Sequence, residues 1–373
     1  MRVLHVSEVS WGGIPSLLRD FTAEQVRRGH RVSLLIPTPM PDRGLAGVHR
    51  LDWSIDRRRA SSLLPAVRQL RAAVRRERPD VVHLHSAFAG FLGRLPLLAG
   101  TAGVPLVYQP HAWSFEIHTS GWARRLTEAW ERVASRWTDV LVTNCTDEVD
   151  QGRELGIRTP GYALGVPLDV ERFHPQADPA HWKARAGVQQ PRMLLCLGRL
   201  ARQKGQDLLV RAWEAEPLPD TELLLVGPGD TAPYQALAPT QWGSTIRWVG
   251  DQSDVRPYLW ACDALVLPSR YETVAVVVAE AMACGRPVVA TRVNGVEMAV
   301  TDGPADPGGV VVAAGDAGSL LAEAHRLLTD EDRRRTLGAA GRQRVVDLFT
   351  PKLVVDRLDE AYAAAVAGPG GMR

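Results

Sequence analysis

Two cations follow a predicted strand in the second half of the chain. The segment GRLARQKG, residues 198–205, places Arg199 and Lys204 where this strand meets the next helix. Cations at the carboxyl end of a strand would neutralise the charge that grows on a departing diphosphate. Only three of the 44 basic residues are lysines, so Lys204 is less easily explained as one more residue of a solvated Arg-rich loop. That alternative stays open for Arg199.

Two carboxylates stand eight residues apart in PSRYETVAVVVAEAMACGRPVVAT, residues 268–291. The pattern predicts a strand ending at Pro268, a loop that holds Glu272, and a helix from Val276 with Glu280 on an early turn. A carboxylate inside the apolar run VVVAEAMA needs hydrogen bonds, which sugar hydroxyls would supply. The first amides of the helix would be donors for a phosphate, and they belong to Thr273, Val274, Ala275 and Val276. In the alternative, Glu272 is a solvated loop acid and Glu280 is a charge favoured by the helix dipole.

The elements that must position these residues alternate regularly along the chain. Short β-branched runs alternate with amphipathic helical segments, which indicates parallel sheets covered on both faces. This alternation of strand and helix patterns is interrupted at GVPLDVERFHP, residues 165–175, and then resumes. We therefore predict an α/β protein of two doubly wound Rossmann-like domains facing a cleft, with residues 1–172 as the acceptor-binding domain and 173–349 as the donor-binding domain. A C-terminal helix at 350–366 is predicted to join the first domain, and ligands are expected at the carboxyl ends of the strands.

Composition excludes several classes of protein. A length of 373 residues suits two domains, and a net charge of +2 gives no reason to expect a nucleic-acid partner. The four cysteines are widely separated and do not have the spacing of metal ligands. We therefore predict that they are buried, reduced thiols. The N-terminus lacks the pattern of a signal peptide, and no apolar stretch is long enough to span a membrane. These features predict a cytoplasmic protein, with peripheral contact at the inner membrane face left open.

Basic residues are concentrated in the first half of the chain. Residues 1–175 carry 23 Arg and 18 acidic residues. The helix within SIDRRRASSLLPAVRQLRAAVRRERP could touch an anionic bilayer and bring a lipid-linked acceptor to the cleft. In the alternative, it is an ordinary surface helix whose Arg stems cover apolar surface, and the Arg content reflects the genome.

The motifs, in their order and spacing, resemble the retaining glycosyltransferases of family 4, which have the two-domain GT-B architecture. That family shows a Gly-Gly turn after the first strand, matched by Gly12 and Gly13. It also shows GRL-x-x-x-KG, matched at 198–205, and PS-x-x-E followed by E-A-M-A-x-G, matched at 268–285. The segment GVPLDVERF resembles its interdomain segment, and the resemblance covers nearly the whole chain.

The resemblance implies a role for each matching position. Arg199 and Lys204 would hold the donor diphosphate, with amides near Gly13 and at 273–276 as further donors. Glu280 would accept hydrogen bonds from the ribose, and Glu272 would bind the transferred sugar. His111, at the end of VPLVYQPHA, matches the family's histidine near the reacting centre; a satisfied strand-end histidine is the alternative, as for His83 and His85.

The family's reaction would need no cofactor and no metal ion. A nucleotide sugar would be the co-substrate, and the acceptor would be a hydroxyl of a glycan, a lipid-linked molecule or a small natural product. The one Asp-x-Asp, Asp330–Asp332, lies in a charged turn and is expected to be solvated. The acceptor could attack on the face from which the diphosphate departs, since no carboxylate nucleophile can be nominated for a double displacement.

The sequence departs from the family's pattern at two places. The loop after Glu272 usually has Gly-aromatic-Gly, whereas residues 273–275 are Thr-Val-Ala, which predicts a smaller or shifted sugar pocket. The usual Asn before the interdomain Gly-Val is Leu164, so no polar side chain is available there.

Other functions compete with transfer. An NAD-dependent oxidoreductase would need Gly-x-Gly-x-x-Gly after a strand and an acid ending the next, but the chain has WGGIPS and then Leu35-Ile36-Pro37. A sugar-nucleotide epimerase or hydrolase on the same architecture would share the donor site without an acceptor groove. A non-catalytic nucleotide-sugar-binding protein is a third alternative, which the altered loop at 273–275 supports.

Overall fold

The computed structural model describes residues 1–10, 13–38, 45–56, 59–117, 121–273 and 275–368. The chain forms two compact units. The first contains residues 1–167 together with the last helix, and the second contains residues 168–350. The chain therefore passes from the first unit to the second and returns at Pro351.

The sheet of the first unit has seven parallel strands in the order β3-β2-β1-β4-β5-β6-β7. Their bounds are β1 (Arg2–Ser7), β2 (Arg31–Ile36), β3 (Val48–Asp52), β4 (Val81–His85), β5 (Leu106–Gln109), β6 (Val140–Thr143) and β7 (Gly161–Ala163). The helices between them are α1 (Gly13–Arg27), α2 (Leu63–Glu77), α3 (Ser86–Gly93), α4 (Pro96–Ala99), α5 (Ser114–Ile117), α6 (Gly121–Ala134) and α7 (Thr146–Glu154). Strand order reverses between β1 and β4, as in a doubly wound sheet.

The sheet of the second unit has six parallel strands in the order β10-β9-β8-β11-β12-β13. Their bounds are β8 (Arg192–Leu197), β9 (Thr221–Val226), β10 (Ile246–Gly250), β11 (Ala264–Leu267), β12 (Val288–Thr291) and β13 (Gly309–Val312). The helices are α8 (Pro179–Arg185), α9 (Gln206–Ala215), α10 (Ala232–Gln235), α11 (Arg256–Ala261), α12 (Val276–Ala283), α13 (Val296–Val300), α14 (Ala317–Thr329) and α15 (Glu331–Leu348).

Both faces of the central part of the second sheet are buried, which explains why the central strands are largely apolar. Along β8, Met193, Leu195 and Leu197 belong to the apolar core on one face. Leu194 and Cys196 belong to the core on the other face. Alternate side chains of a strand point to opposite faces, so a continuous apolar run is needed when helices cover both.

The last helix, α16 (Pro351–Ala367), packs in the first unit against α1 and several strands. Arg28, directly after α1, forms ion pairs with Asp356 and Asp359 of α16. The buried Tyr362 hydroxyl lies 2.8 Å from His83 Nδ1 on β4. Residues from the end of the chain therefore complete the unit that the beginning of the chain starts.

The prediction of two doubly wound parallel sheets is confirmed, and three strands were not predicted. The missed strands are the edge strands β3, β7 and β13. Helix α7 begins at Thr146, and Cys145 occupies its cap position without a side-chain hydrogen bond. The Glu148 carboxylate accepts from the Asn144 backbone N–H at 2.9 Å.

The four cysteines are free and buried. Burial raises the pKa of Cys196, Cys262 and Cys284 to about 12. Asp330 of the predicted solvated turn caps α15 by accepting from Arg333 N–H at 2.9 Å. Among the residues that the structure describes, no helix has the length and apolar content needed to cross a bilayer.

Candidate functional site

The two charged segments of the second unit leave neighbouring strands at the same edge of the sheet. β8 and β11 pair side by side in parallel, and the strand order reverses between them. Residues 198–205 follow β8 and residues 268–275 follow β11. A reversal of strand order opens a crevice at the carboxyl edge, which is where doubly wound sheets bind ligands. The topology therefore puts the predicted cations and carboxylates at one edge.

The two loops are in direct contact at Gly205, which immediately precedes α9. Gly205 has φ +67°, and a Cβ placed on it would lie 2.0 Å from the Pro268 carbonyl oxygen. The Arg270 backbone N–H donates to the Gln203 carbonyl at 2.8 Å. The Arg270 guanidinium also forms a bidentate pair with Asp207, at 2.6 and 2.7 Å. These contacts fix the loop after β11 on the loop after β8.

Lys204 and Glu272 form an ion pair at this junction. Lys204 Nζ lies 2.7 Å from Glu272 Oε1, and the Glu272 side chain is only 4% exposed. The Ser269 hydroxyl donates to the same oxygen at 2.6 Å. Thr291 Oγ1 in turn donates to the Ser269 carbonyl at 2.6 Å. Glu272 is thus a buried, oriented carboxylate, and its interpretation as a solvated loop acid is wrong.

Arg199 is exposed at the same edge. Gln206 Nε2 donates to the carbonyls of Gly198 and Arg199, at 3.3 and 3.0 Å, and so holds the backbone of this turn. Within the described parts of the chain, the Arg199 guanidinium has no hydrogen-bond or ion-pair partner. It is therefore a cation available to an anionic ligand.

Glu280 is a partly buried carboxylate in the second turn of α12. Burial raises the pKa of its carboxyl to about 7, and the charge of Arg172 opposes part of that rise. No donor in the described residues hydrogen-bonds this carboxylate. A desolvated acceptor without a donor is energetically costly and suits a ligand that brings hydroxyl groups.

The start of α12 gives a set of backbone donors. The helix begins at Val276 and the buried Ala275 occupies its cap position. The amides of Val276 and Val277 therefore have no acceptor within the helix, whereas the Val278 N–H donates to the Ala275 carbonyl at 2.9 Å. Thr273 precedes this turn and is half-buried, and Val274 lies outside the described residues. Of the four predicted phosphate-binding amides, that of Val276 belongs to the first helical residue and that of Ala275 to the cap position.

The predicted Gly-Gly turn is described in part. Gly13 is exposed and begins α1, and Gly12 lies outside the described residues. A Cβ on Gly13 would meet no atom within 4 Å. Packing in the protein therefore does not require glycine at position 13, and the space beside it is open to a ligand.

A third loop at the same edge was not predicted as part of the site. Gly227 follows β9, and a Cβ on it would lie 2.4 Å from the Gly198 carbonyl oxygen. The Leu200 backbone N–H donates to the Pro228 carbonyl at 2.8 Å. The sequence GPGD at 227–230 carries the turn signal Pro-Gly, which could have indicated this loop.

His111 lies in the first unit, just after β5, and its ring is buried. His111 Nε2 lies 3.0 Å from His85 Nδ1, and His111 Nδ1 lies 3.3 Å from Asn144 Nδ2. Burial lowers the pKa of the His111 ring to about 3. The ring is therefore neutral near pH 7, and both nitrogens are in hydrogen bonds within the protein.

The hydrogen bonds of His111 continue through two further buried histidines, His85 and His5, to Gln25. His85 Nε2 lies 2.9 Å from His5 Nδ1, and His5 Nε2 lies 2.9 Å from Gln25 Oε1. Because the Gln25 oxygen can only accept, each imidazole in turn donates from Nε2 and accepts at Nδ1. His5 and His85 are thus satisfied buried histidines, whereas His83 Nε2 has no partner.

Three of these histidines form the single potential metal-binding group in the described residues. The ligand atoms of His5, His83 and His85 lie within 4.8 Å of one another. The centroids of the His83 and His85 rings are 3.9 Å apart. Hydrogen bonds already occupy a nitrogen of each ring, so the neutral hydrogen-bonded chain explains this cluster.

Two family models match most of the chain between them. The model described as "Glycosyl transferase 4-like domain" matches residues 12–165. The model described as "Glycosyl transferases group 1" matches residues 191–330. The second match spans both charged loops and the helix that carries Glu280.

Two curated relatives and one solved structure extend these matches. The chain is 33% identical to D-inositol 3-phosphate glycosyltransferase 1 of Catenulispora acidiphila over 317 residues, which are 78% of this chain and 74% of the relative. It is 28% identical over 370 residues to the GDP-mannose-dependent monoacylated alpha-(1-6)-phosphatidylinositol monomannoside mannosyltransferase of Corynebacterium glutamicum, with 93% of each chain covered. The Anabaena protein HepE, solved in complex with UDP-glucose, superimposes with a TM-score of 0.80 at 19% identity, over 98% of this chain and 100% of that one.

Proposed function

Because this chain belongs to the group 1 glycosyl transferases, we propose that it moves a sugar from a nucleoside-diphosphate sugar to an acceptor hydroxyl, with retention and without a metal ion. The observation that carries the proposal is the Lys204–Glu272 pair at the switch point of the second sheet, together with Arg199, which has no partner among the described residues. Relatives named for GDP-mannose, or solved with UDP-glucose, support a donor of this class.

Arg199 and Lys204 are proposed to bind the donor diphosphate. In the transition state, charge moves from the sugar onto the departing diphosphate, so cations held in place there stabilise the transition state more than the ground state. The Lys204 ammonium is already fixed by Glu272, so it loses little conformational freedom when the ligand binds. The amides at the start of α12, and those near Gly13, are proposed as neutral donors to the same phosphates.

Glu280 and Glu272 are proposed to bind the two sugars of the donor. Glu280 would accept from ribose hydroxyls, which would supply the donors that its carboxylate lacks among the described residues. Glu272 keeps one oxygen in bonds with Lys204 and Ser269. Its other oxygen would accept from a hydroxyl of the transferred sugar, and the pair would thereby place that sugar beside the diphosphate.

The proposed reaction proceeds on one face of the sugar. The acceptor oxygen forms a bond to the anomeric carbon as the bond from that carbon to the diphosphate oxygen breaks. The acceptor proton passes to the departing diphosphate oxygen, so no protein base is consumed. Retention follows because attack and departure share a face.

His111 is proposed to act near the reacting centre by position. Its neutral ring anchors a turn in which His111 and Ala112 both have positive φ, 52° and 114°. Positive φ angles at two consecutive non-glycine residues are energetically unfavourable, so the surrounding hydrogen bonds must stabilise this backbone conformation. The ring would therefore hold the shape of this turn, while proton transfer is left to the diphosphate.

A donor panel followed by product analysis tests the proposal. We expect one of the UDP, GDP, ADP or TDP sugars to raise the melting temperature, since a ligand at 100 times its Kd stabilises by about 2.7 kcal/mol. With a hydroxyl acceptor, NMR of the product should show the donor's anomeric configuration, and a chelator should leave the rate unchanged.

The same panel distinguishes the competing functions. Conversion of the donor in the absence of any acceptor would favour an epimerase or hydrolase. Tight donor binding with no product across glycan, lipid-linked and small-molecule acceptors would favour a non-catalytic binding protein. An inverted product, or a rate abolished by the chelator, would contradict the mechanism.

A further inference from the structure

Large apolar side chains are exposed along α6 of the first unit. Four of the twelve large apolar residues exposed in the described part of the chain lie within residues 121–137. Trp122 is 74% exposed and Leu126 64%, and Val133 and Trp137 are also exposed. Isolated exposed apolar residues are ordinary, but a concentration on one helix marks an interaction surface.

These side chains form one stripe along the helix. At about 100° per residue, Trp122, Leu126, Ala129 and Val133 fall within roughly 60° of one another on the outward face. Trp130 lies at one margin of the stripe, where its ring packs against Phe91 at a centroid distance of 4.9 Å. The spacing therefore produces a continuous apolar stripe where a surface helix usually carries polar residues.

The opposite face of α6 is fixed to the core of the unit. Glu131 is buried there and pairs with Arg94 at 2.8 Å. The Arg94 guanidinium stacks on the Tyr108 ring, 3.7 Å from its centroid. Separating a buried ion pair is strongly unfavourable, so the helix cannot rotate to bury its apolar stripe. The stripe is exposed as a consequence of how the helix is held.

Arginines border the stripe. Arg124, Arg125, Arg132 and Arg136 lie between residues 121 and 137. The acids in this span are Glu128, which pairs with Arg124, and Glu131, whose charge is met by Arg94. Arg132 donates to the Leu155 carbonyl at 2.7 Å. Arg125 and Arg136 have no acidic partner in the described residues, so the border of the stripe is positive.

We propose that α6 and the turn after it, residues 121–137, dock this unit on an anionic lipid bilayer. An apolar stripe with Trp at its ends and Arg along its side matches the two layers of a membrane interface, acyl chains below and anionic headgroups above. The helix would lie flat, with Trp122 and Leu126 inserted and Arg125 and Arg136 among the phosphates. A second copy of the chain would bring the same arginines together, so the charge argues against a dimer.

The sequence suggested a different helix, α2, for membrane contact, but the apolar face of α2 is buried. The exposed residues of α2 include Arg68, Arg71 and Arg75, whereas its central apolar residues, Ala66, Leu70, Ala73 and Val74, are buried. This arrangement is that of an ordinary surface helix. Leu64, at its beginning, is 59% exposed but has no apolar stripe behind it. α2 therefore provides matched controls for α6.

Vesicle sedimentation tests the proposal with the full chain and no nucleotide sugar. We expect binding to vesicles of phosphatidylglycerol and phosphatidylcholine, with weaker binding at high salt and little binding to phosphatidylcholine alone. The variant Trp122→Ser/Leu126→Ser should bind about ten- to a hundredfold more weakly. The control Leu64→Ser should bind within about twofold of the parent, since an isolated side chain adds little inserted surface.

A second matched pair of variants tests how much the arginines beside the stripe contribute to vesicle binding. Arg125→Glu/Arg136→Glu should weaken binding about tenfold or more, since each basic residue at the surface contributes to lipid attraction. Arg68→Glu/Arg75→Glu on α2 makes the same change in net charge, and it should reduce vesicle binding clearly less than Arg125→Glu/Arg136→Glu does. An equal loss would show that only total charge matters and would overturn the assignment to α6.

Two further measurements distinguish the remaining outcomes. Brominated acyl chains should quench the parent's fluorescence more than that of Trp122→Phe, because Trp122 would be inserted. Light scattering should give a monomer; a dimer that becomes monomeric in Trp122→Ser/Leu126→Ser would identify a second copy as the occupant. The variants should bind the donor and melt like the parent, so loss of docking is separable from failure of the proposed transferase function.

Discussion

Arg199 and Lys204 lie in one turn but are held in different ways. The Lys204 ammonium is paired with a buried carboxylate, while Arg199 is exposed and has no partner within the described residues. Removing Lys204 leaves Glu272 as an unpaired buried charge, which lowers stability as well as donor binding. Arg199 therefore gives the cleaner test of diphosphate binding.

We predict that Arg199→Ala slows turnover by about one to two orders of magnitude, the range expected for loss of one charge-assisted hydrogen bond. The melting temperature should stay near that of the parent, because the side chain has no partner to lose among the described residues. Arg202→Ala is the control, since Arg202 is exposed in the same turn. Steady-state rates with the identified donor provide the measurement, and turnover of Arg199→Ala within threefold of the parent would refute the role.

Glu280 links function to stability through its pKa. Because the pKa of its carboxyl is raised from the ordinary value of 4.5 to about 7 in the folded protein, ionisation opposes folding as the pH rises from about 4.5 to 7. We predict that Glu280→Gln, which cannot ionise, becomes more stable than the parent over this window, by about 1–3 kcal/mol above pH 7. Urea unfolding at several pH values measures the difference.

The same variant should bind the nucleotide sugar more weakly above pH 7, since an amide is a poorer acceptor than a carboxylate for ribose hydroxyls. Glu216→Gln is the control, because Glu216 is an exposed acid of the same unit. A stability gain that is independent of pH, or unchanged donor affinity, would contradict the proposed trade-off between stability and donor binding at Glu280.

At the scale of elements, the donor site depends on close contact between the loops after β8 and β11. Gly205 allows this contact in two ways, since it has φ +67° and its missing side chain leaves room for the Pro268 carbonyl. An alanine there would meet that oxygen at 2.0 Å. The backbone of one loop would have to move, and Lys204 and Glu272 lie on either side of the contact.

We predict that Gly205→Ala lowers the free energy of unfolding by more than the roughly 1–2 kcal/mol that positive φ alone costs. Donor affinity should fall as well, because the Lys204–Glu272 pair is displaced. Gly243→Ala is a matched control with φ +81° and no atom within 4 Å of the added Cβ. Equal destabilisation of the two variants in urea would show that the loops can adjust and that their contact does not set the site.

Sequence patterns predicted the central strands and missed three of the four edge strands. β8, β9 and β11 are buried on both faces, so each is a continuous apolar run followed by a turn. The edge strand β3 is VHRLD, and its half-exposed polar residues hide it from an apolar pattern. β7 is only three residues long.

The candidate site was predicted to the extent that its residues follow each other in the chain. Arg199, Lys204, Glu272 and Glu280 could be nominated because charged residues interrupt apolar runs at strand ends. The salt bridge between Lys204 and Glu272, and the tight contact of Gly227 with Gly198, join residues from separate loops. Such contacts depend on strand order, which periodicity does not specify. The hydrogen-bonded histidines likewise combine β1, β4 and the end of β5.

At the scale of the whole molecule, the chain order and the structural units differ. The first unit contains α16, whose residues follow the entire second unit in the sequence. Arg357 of α16 donates to the Leu164 carbonyl at 2.7 Å, which satisfies a backbone group at the position that lacks the usual Asn. The first unit can therefore complete its core only after the last residues of the chain are available.

Tyr362 tests how much the returning helix contributes to the first unit. Its hydroxyl is buried between His83 Nδ1 at 2.8 Å and Gln25 Nε2 at 3.4 Å, so it ties α16 to β4 and α1. We predict that Tyr362→Phe lowers the free energy of unfolding by about 1–3 kcal/mol, because two buried polar groups lose a partner. Tyr162→Phe is the control, since Tyr162 is half-buried in the same unit and its hydroxyl has no partner among the described residues.

Donor binding provides the second measurement for this variant. The side chains proposed to bind the donor, those of Arg199, Lys204, Glu272 and Glu280, all belong to the second unit, and the proposed amides near Gly13 lie at the opposite end of α1 from Gln25, the partner of Tyr362. The Kd of Tyr362→Phe for the nucleotide sugar should therefore equal that of the parent, while hydrogen exchange should increase in α16, α1 and β4. Weaker donor binding without loss of stability would mean that α16 acts on the donor site, and would overturn the view that it serves to complete the first unit.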